Sequence, residues 1–188
     1  MGSSGAAQTS VSNRSIDGRL LFVGGYNGAN VDGLRRFLSD AWPEILRRDP
    51  RAHLRVCGYV CRGFSGERFN NVTFLGYQES VESEYAEATV VINPAWIGTG
   101  LKIKSVEALA RGKPLVTTPK GIDGLPDGIE QCASIARDDK EFASAVLQLL
   151  CEPAYRKQLA QSANTFATMN LNKRTVYREL LDFLDGKK

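Results

Sequence analysis

No apolar run in the 188 residues approaches the ~20 needed to span a bilayer, and no basic-then-apolar leader opens the chain. Neither a membrane span nor a signal peptide is therefore expected. Histidine is almost absent: His53 stands alone at the start of a strand-like segment, too little for a nucleophile–histidine–carboxylate set. Cysteine is thin as well. Cys57 and Cys61 form one loose pair, Cys132 and Cys151 stand apart, and no second pair supplies zinc spacing. No metal site is expected, and unpaired thiols suit a reducing cytoplasm. Charge of one sign is also scarce. The net charge is +3 with basic residues scattered, which argues against a nucleic-acid partner. No G-x-G-x-x-G dinucleotide signature occurs.

What is present is alternation. Residues 1–18 are rich in Ser, Gly and Ala without periodicity and read as a disordered tail or linker; residues 19–188 read as one domain with a buried core. Short apolar runs at 19–24, 54–58, 72–76, 89–93, 114–117 and, more weakly, 132–136 read as six strands. Helical spacing fills 31–48, where Pro43 is expected to kink or split the helix, and a short helix capped by Ser80 is expected to end near Glu87. Further helices are expected at 138–150, 153–168 and 173–184, and 59–71 reads as a polar loop. Strands alternating with helices through short loops imply an α/β, doubly wound parallel sheet of about six strands. Ligands of such sheets lie at the carboxyl ends of the strands, near the switch point. The loops there are 24–30, 59–71, 76–80, 93–100 and 118–125.

One stretch carries the chemistry. From Asn93 to Thr118 the chain reads as a strand end, a glycine loop, a short helix and a second strand. The loop residues Gly98, Thr99, Gly100 and Leu101 would present free N–H groups and the positive end of the helix dipole, a setting for phosphate. Lys102 and Lys104 add full positive charges there, and Glu107 supplies a carboxylate for sugar hydroxyls. On a helical wheel Ile103, Val106, Leu109 and Ala110 share one arc, expected to face the sheet. Lys102 falls in that arc and Lys104 points away, so Lys102 is the expected anion holder. A diphosphate flanked by hydroxylated rings is the implied ligand.

The run Glu107-Ala108-Leu109-Ala110-Arg111-Gly112-Lys113-Pro114-Leu115-Val116 resembles the second half of a motif in the donor-binding, C-terminal domain of retaining family 4 glycosyltransferases. Their motif is Glu, seven residues, Glu, on a glycine loop and helix. The resemblance covers about Leu20 to Leu184 and implies a Rossmann-like half of a GT-B fold. It also implies a nucleoside diphosphate sugar as donor, with no cofactor or metal. Glu107 takes the place of the acid that contacts the ribose. Thr99 stands where the family has the acid that touches the donor sugar. The family's first loop often grips the diphosphate with a basic residue, but Gly25 to Asp32 has neither Lys nor Arg, so Lys102 is expected to take over. Gly25 remains a candidate contact in that loop. Tyr77 falls where the family contacts the base, and Lys120 lies on a loop that closes one side of the donor site.

The expectation is thus a donor domain for retaining transfer in polysaccharide or glycolipid synthesis. Lys102 is the catalytic candidate; Gly98, Thr99, Gly100, Leu101, Lys104, Glu107, Tyr77 and Gly25 are the binding candidates. The acceptor half is expected in a missing N-terminal domain, and the setting is cytoplasmic, at the inner membrane face through that domain. Two rival readings are a non-catalytic nucleotide-sugar-binding or scaffolding domain and, less favoured, a sugar-nucleotide epimerase.

Overall fold

Six short strands form one parallel sheet in the order β3-β2-β1-β4-β5-β6. They are β1 (Arg19–Val23), β2 (His53–Cys57), β3 (Val72–Gly76), β4 (Val90–Asn93), β5 (Leu115–Thr117) and β6 (Ser134–Ile135). The structure, a computed structural model, describes residues 18–98 and 102–171. The tail and the helix expected at 173–184 lie outside the described residues.

Central strands are apolar on both faces because helices cover both. On one face Leu20, Phe22, Leu54, Val56, Val90 and Ile92 meet Leu34, Phe37, Trp42, Ile45, Phe142 and Val146. Those partners come from α1 (Gly28–Arg36), the turn after it, α2 (Trp42–Arg48) and α6 (Asp139–Cys151). On the other face Leu21, Val91 and Leu115 meet Tyr85, Ala108, Leu109 and Phe166. These belong to α3 (Glu82–Glu87), α4 (Ile103–Ala110) and α7 (Pro153–Asn170). The period of two along β1 and β4 thus sorts side chains between two cores. A short helix α5 (Pro119–Ile122) follows β5.

The helix expected at 31–48 begins earlier and is broken by a π-helical turn at Phe37–Ala41, ahead of Pro43. Trp42 donates its N–H five residues back, to the Phe37 carbonyl. The wider turn lets Pro43, which has no N–H to give, enter the first turn of α2. Ser80 accepts from the Glu82 N–H at 3.3 Å, although Val81 is the residue that flanks α3. The loop at 59–71 contains a 3₁₀ helix, Tyr59–Phe64.

At the centre of the sheet β1 pairs with β2 on one side and β4 on the other, with Leu20 opposite both Leu54 and Val90. Strand order reverses here, so the connections leaving β1 and β4 part in opposite directions and open a crevice between them.

A candidate anion-binding cavity at the switch point

An open cavity of about 400 Å³ occupies that crevice. Val23, Gly24 and Gly25 line it from the end of β1, Asn27, Ala29 and Asn30 from the start of α1, and Asn93, Ala95, Ile97 and Gly98 from the end of β4. Lys102, Ile103, Lys104 and Glu107 complete it from the start of α4. The cavity therefore gathers the sequence candidates Gly25, Gly98, Lys102, Lys104 and Glu107. Thr99, Gly100 and Leu101 lie outside the described residues. Tyr77 is not among the lining residues; its exposed ring stacks on Tyr59 with centroids 5.0 Å apart, and Arg62 covers Tyr59. Lys120 pairs with Asp123 at 2.6 Å.

Close backbone approach shapes the walls. Gly33 of α1 lies against the Pro94 carbonyl: a Cβ there would sit 2.2 Å from that oxygen. Gly98 turns the chain at φ +112°, a conformation open to glycine. Beneath α4 a set of buried polar groups fixes the strand ends. Asn93 Nδ2 donates to Ser105 Oγ at 2.9 Å, Ser105 Oγ donates to the Gly121 carbonyl at 2.7 Å, and Thr117 Oγ1 donates to the Asn93 carbonyl at 3.0 Å. Thr118 Oγ1 donates to the Ala95 carbonyl, tying the loop after β4 to β5.

The phase of α4 corrects the helical-wheel expectation. Its buried residues are Ser105, Ala108 and Leu109. Ile103 is 59% exposed on the cavity rim, Val106 is half-buried and Ala110 is exposed. The inward face tolerates Ser105 because its hydroxyl has partners on both sides. Consequently Lys104, not Lys102, is the lysine drawn into the structure. Its ammonium donates to Asn30 Oδ1 at 2.6 Å and lies 5.9 Å from the centre of the Phe22 ring. Burial, and then the neighbouring charge of Lys102, lowers its pKa from the ordinary 10.5, with Glu107 opposing. Lys102 flanks the first turn of α4 from outside.

Among the described residues no side chain caps α4, as at α2, α3 and α7, whereas Asn27, Thr118 and Asp138 cap α1, α5 and α6. An uncapped helix start leaves its first N–H groups available to an anion. Glu107 is half-buried one turn further on, with the Tyr85 hydroxyl donating to its Oε2 at 3.3 Å. Burial, followed by the Glu107 charge, pushes the Tyr85 pKa well up, so that hydroxyl remains a donor. Together these groups offer positive charge and amide donors at the first turn of α4 and a carboxylate acceptor one turn further along it. Asn30 and Asn93 escaped the sequence reading, since a single carboxamide carries no periodic signal. Among the described residues, no cluster of His, Cys, Asp or Glu could hold a metal ion. No described helix is long and apolar enough to cross a membrane.

A six-stranded parallel sheet with a cavity at its switch point defines a Rossmann-like α/β class of domain, and family comparison narrows it. The family described as glycosyl transferases group 1 matches residues 17–152, so the chain belongs to that family. A curated relative, the Klebsiella pneumoniae "uncharacterized 44.6 kDa protein in cps region", is 24% identical over 173 residues, covering 86% of this chain and 44% of the relative. Anabaena HepE, solved in complex with UDP, superposes with a TM-score of 0.69 at 17% identity, over 91% of this chain and 50% of HepE. A variant of TarM from S. aureus, solved with Fondaparinux, alpha-GlcNAc-glycerol and UDP, gives 0.70 at 14% identity, over 89% of this chain and 35% of TarM. The chain thus has the fold of a GT-B glycosyltransferase half and spans half or less of each of these relatives.

Proposed function

We propose that this chain is the donor half of a retaining glycosyltransferase that binds a nucleoside diphosphate sugar and serves polysaccharide or glycolipid assembly. The observation that carries the reading is the convergence of Lys102, Lys104, Glu107 and the uncapped start of α4 on one cavity. The diphosphate takes the lysine end, where ammonium groups and helix N–H groups hold an anion. The Glu107 carboxylate accepts from the ribose hydroxyls. Gly98, which lines the same cavity, takes a place beside the diphosphate. UDP in the HepE and TarM structures supports uracil as the first base to test.

Chemistry in this arrangement is positioning and leaving-group stabilisation. As the glycosidic bond to the diphosphate lengthens, negative charge grows on the departing phosphate oxygen. Lys102 and Lys104 meet that charge, and the helix start adds its N–H groups. The acceptor binds to a second domain that approaches the cavity rim at Ile97 and Ile103, both more than half exposed. No cofactor or metal is assigned a role, and the setting is the cytoplasmic side of a membrane.

Thr99 at the place of the family's first acid favours a second reading, a domain that binds nucleotide sugar without transferring it. Thermal-shift titration of the chain with UDP-, GDP-, ADP- and CDP-linked sugars tests the binding common to both. A ligand at 100 times its dissociation constant adds about 2.7 kcal/mol of stability. One base is expected to shift the melting transition, and no shift with any of them contradicts the proposal. Transfer assays on a longer protein containing both domains then separate the two readings.

A further inference from the structure

Lys104 is held by a neutral partner. Its ammonium donates to Asn30 Oδ1 at 2.6 Å, and Asn30 Nδ2 donates onward to the Gly25 carbonyl at 2.8 Å. The three residues come from α4, the first turn of α1 and the loop after β1, and all line the same cavity. The carboxamide has one satisfactory orientation. A carbonyl only accepts, so Nδ2 faces Gly25 and Oδ1 faces the ammonium, which only donates. Asn30 is itself fixed by its N–H, which donates to Asn27 Oδ1 at 2.9 Å.

Several other cations of the fold take carboxylates: Arg35 pairs with Glu67, Arg36 with Asp139, Arg55 with Glu84 and Arg111 with Glu82. Lys104 makes no such pair among the described residues. Lys113 donates to the Ala86 and Ala88 carbonyls, away from the cavity, so Lys104 is the lysine that brings a neutral-partnered ammonium to the cavity wall. An unpaired ammonium in a half-buried place is costly, and an amide satisfies its hydrogen bond without cancelling its charge. The first loop, 25–32, contains no Lys or Arg of its own. Positive charge arrives there from α4, across the cavity.

We infer that Asn30 is a positioning residue of the anion site: it holds the Lys104 ammonium against the first loop without neutralising it, so the site selects diphosphates over uncharged nucleosides. This inference rests on the nucleoside-diphosphate reading above and adds the residue that directs the charge. The other charged groups around Lys104 are Lys102 and Glu107; Phe22 of β1 and Asn30 of α1 are neutral.

Two variants of the full chain test it, with UDP and uridine as probes. Asn30→Asp keeps an acceptor on Lys104 but supplies a negative charge. Asn30→Leu removes the acceptor. A bound diphosphate favours protonated Lys104, so UDP affinity falls as pH rises through the pKa of that lysine. With Asn30→Asp that decline moves to higher pH, because a carboxylate favours the ammonium; with Asn30→Leu it moves to lower pH. In both variants UDP affinity at pH 7 is expected to drop at least tenfold, while uridine affinity stays within about twofold. A purely structural role lowers both affinities together and leaves the pH profile in place, which overturns the inference. Titration of the Lys104 ¹³Cε resonance in the free chain provides a readout without ligand. Opposite titration shifts with no UDP binding by the unmutated chain overturn the diphosphate reading. UDP binding with no titration shifts overturns the role of Asn30 alone.

Discussion

The hydroxyl of Tyr85, buried under α4, donates to Oε2 of Glu107 at 3.3 Å and so fixes one oxygen of the carboxylate that lines the cavity. Arg111 braces the same corner. Its guanidinium lies 4.4 Å from the centre of the Tyr85 ring, pairs with Glu82 at 2.6 Å and donates to the Glu107 carbonyl. Glu107, the residue proposed to contact the ribose, is thus a supported side chain and not a freely solvated one.

Glu107→Gln is expected to weaken a ribonucleoside diphosphate by roughly 1.5–3 kcal/mol, about ten- to a hundredfold. The amide loses the charged acceptor and turns an unwanted donor toward the sugar hydroxyls. A 2′-deoxy analogue is expected to lose less, which separates ribose recognition from general damage. Tyr85→Phe removes only the supporting bond and is expected to cost about 0.5–1.5 kcal/mol. Calorimetric titration of both nucleotides into the three proteins checks this. Equal losses for the two nucleotides in Glu107→Gln would show that Glu107 does not read the ribose.

Gly33→Ala tests how closely α1 approaches the loop after β4. In an exposed helix this change stabilises by roughly 0.5–1 kcal/mol. Here the new Cβ would sit 2.2 Å from the Pro94 carbonyl oxygen, so backbone must move and a net loss of ~1–3 kcal/mol is expected. Urea denaturation measures the sign. A gain in stability would mean that α1 does not lie against Pro94.

The Arg55–Glu84 pair joins β2 to α3 through two bonds of 2.5 and 2.6 Å, with both side chains largely shielded. The hydrogen bond from Arg55 holds the Glu84 carboxyl below its ordinary 4.5. A depressed folded-state pKa means stabilisation that is complete above the unfolded value and lost as pH falls through the folded one. Glu84→Gln should therefore cost about 1.5–3 kcal/mol at pH 7. The difference between variant and parent is expected to shrink below about pH 4.5. A pH-independent difference would assign the loss to packing.

Most of the fold was legible in the sequence because buried parallel strands are uninterrupted apolar runs punctuated by Gly, Pro or Asn. The run Val72–Gly76 is the β-strand as read, and the other strands differ at their ends by a residue or two. The phase of α4 was not legible. Hydrophobic periodicity assumes that inward residues are apolar, yet Ser105 is inward because Asn93 and Gly121 satisfy it, and Ile103 lies on a cavity rim. That misphasing gave Lys102 the place that belongs to Lys104. The π-helical turn before Pro43 and the 3₁₀ helix at Tyr59–Phe64 are too short to imprint a period. The Lys104–Asn30 bond joins residues 74 positions apart and depends on how α4 and α1 meet across the sheet.

The central claim is that the start of α4 binds a nucleoside diphosphate through charge. Calorimetric titration of UDP and uridine into the chain and its Lys104→Ala variant tests it most directly. UDP is expected to bind the parent, to lose ~1.5–3 kcal/mol in the variant and to weaken with added salt, while uridine is nearly unaffected. Failure of the parent to bind UDP or any other nucleoside diphosphate, or equal losses for UDP and uridine in the variant, would contradict it.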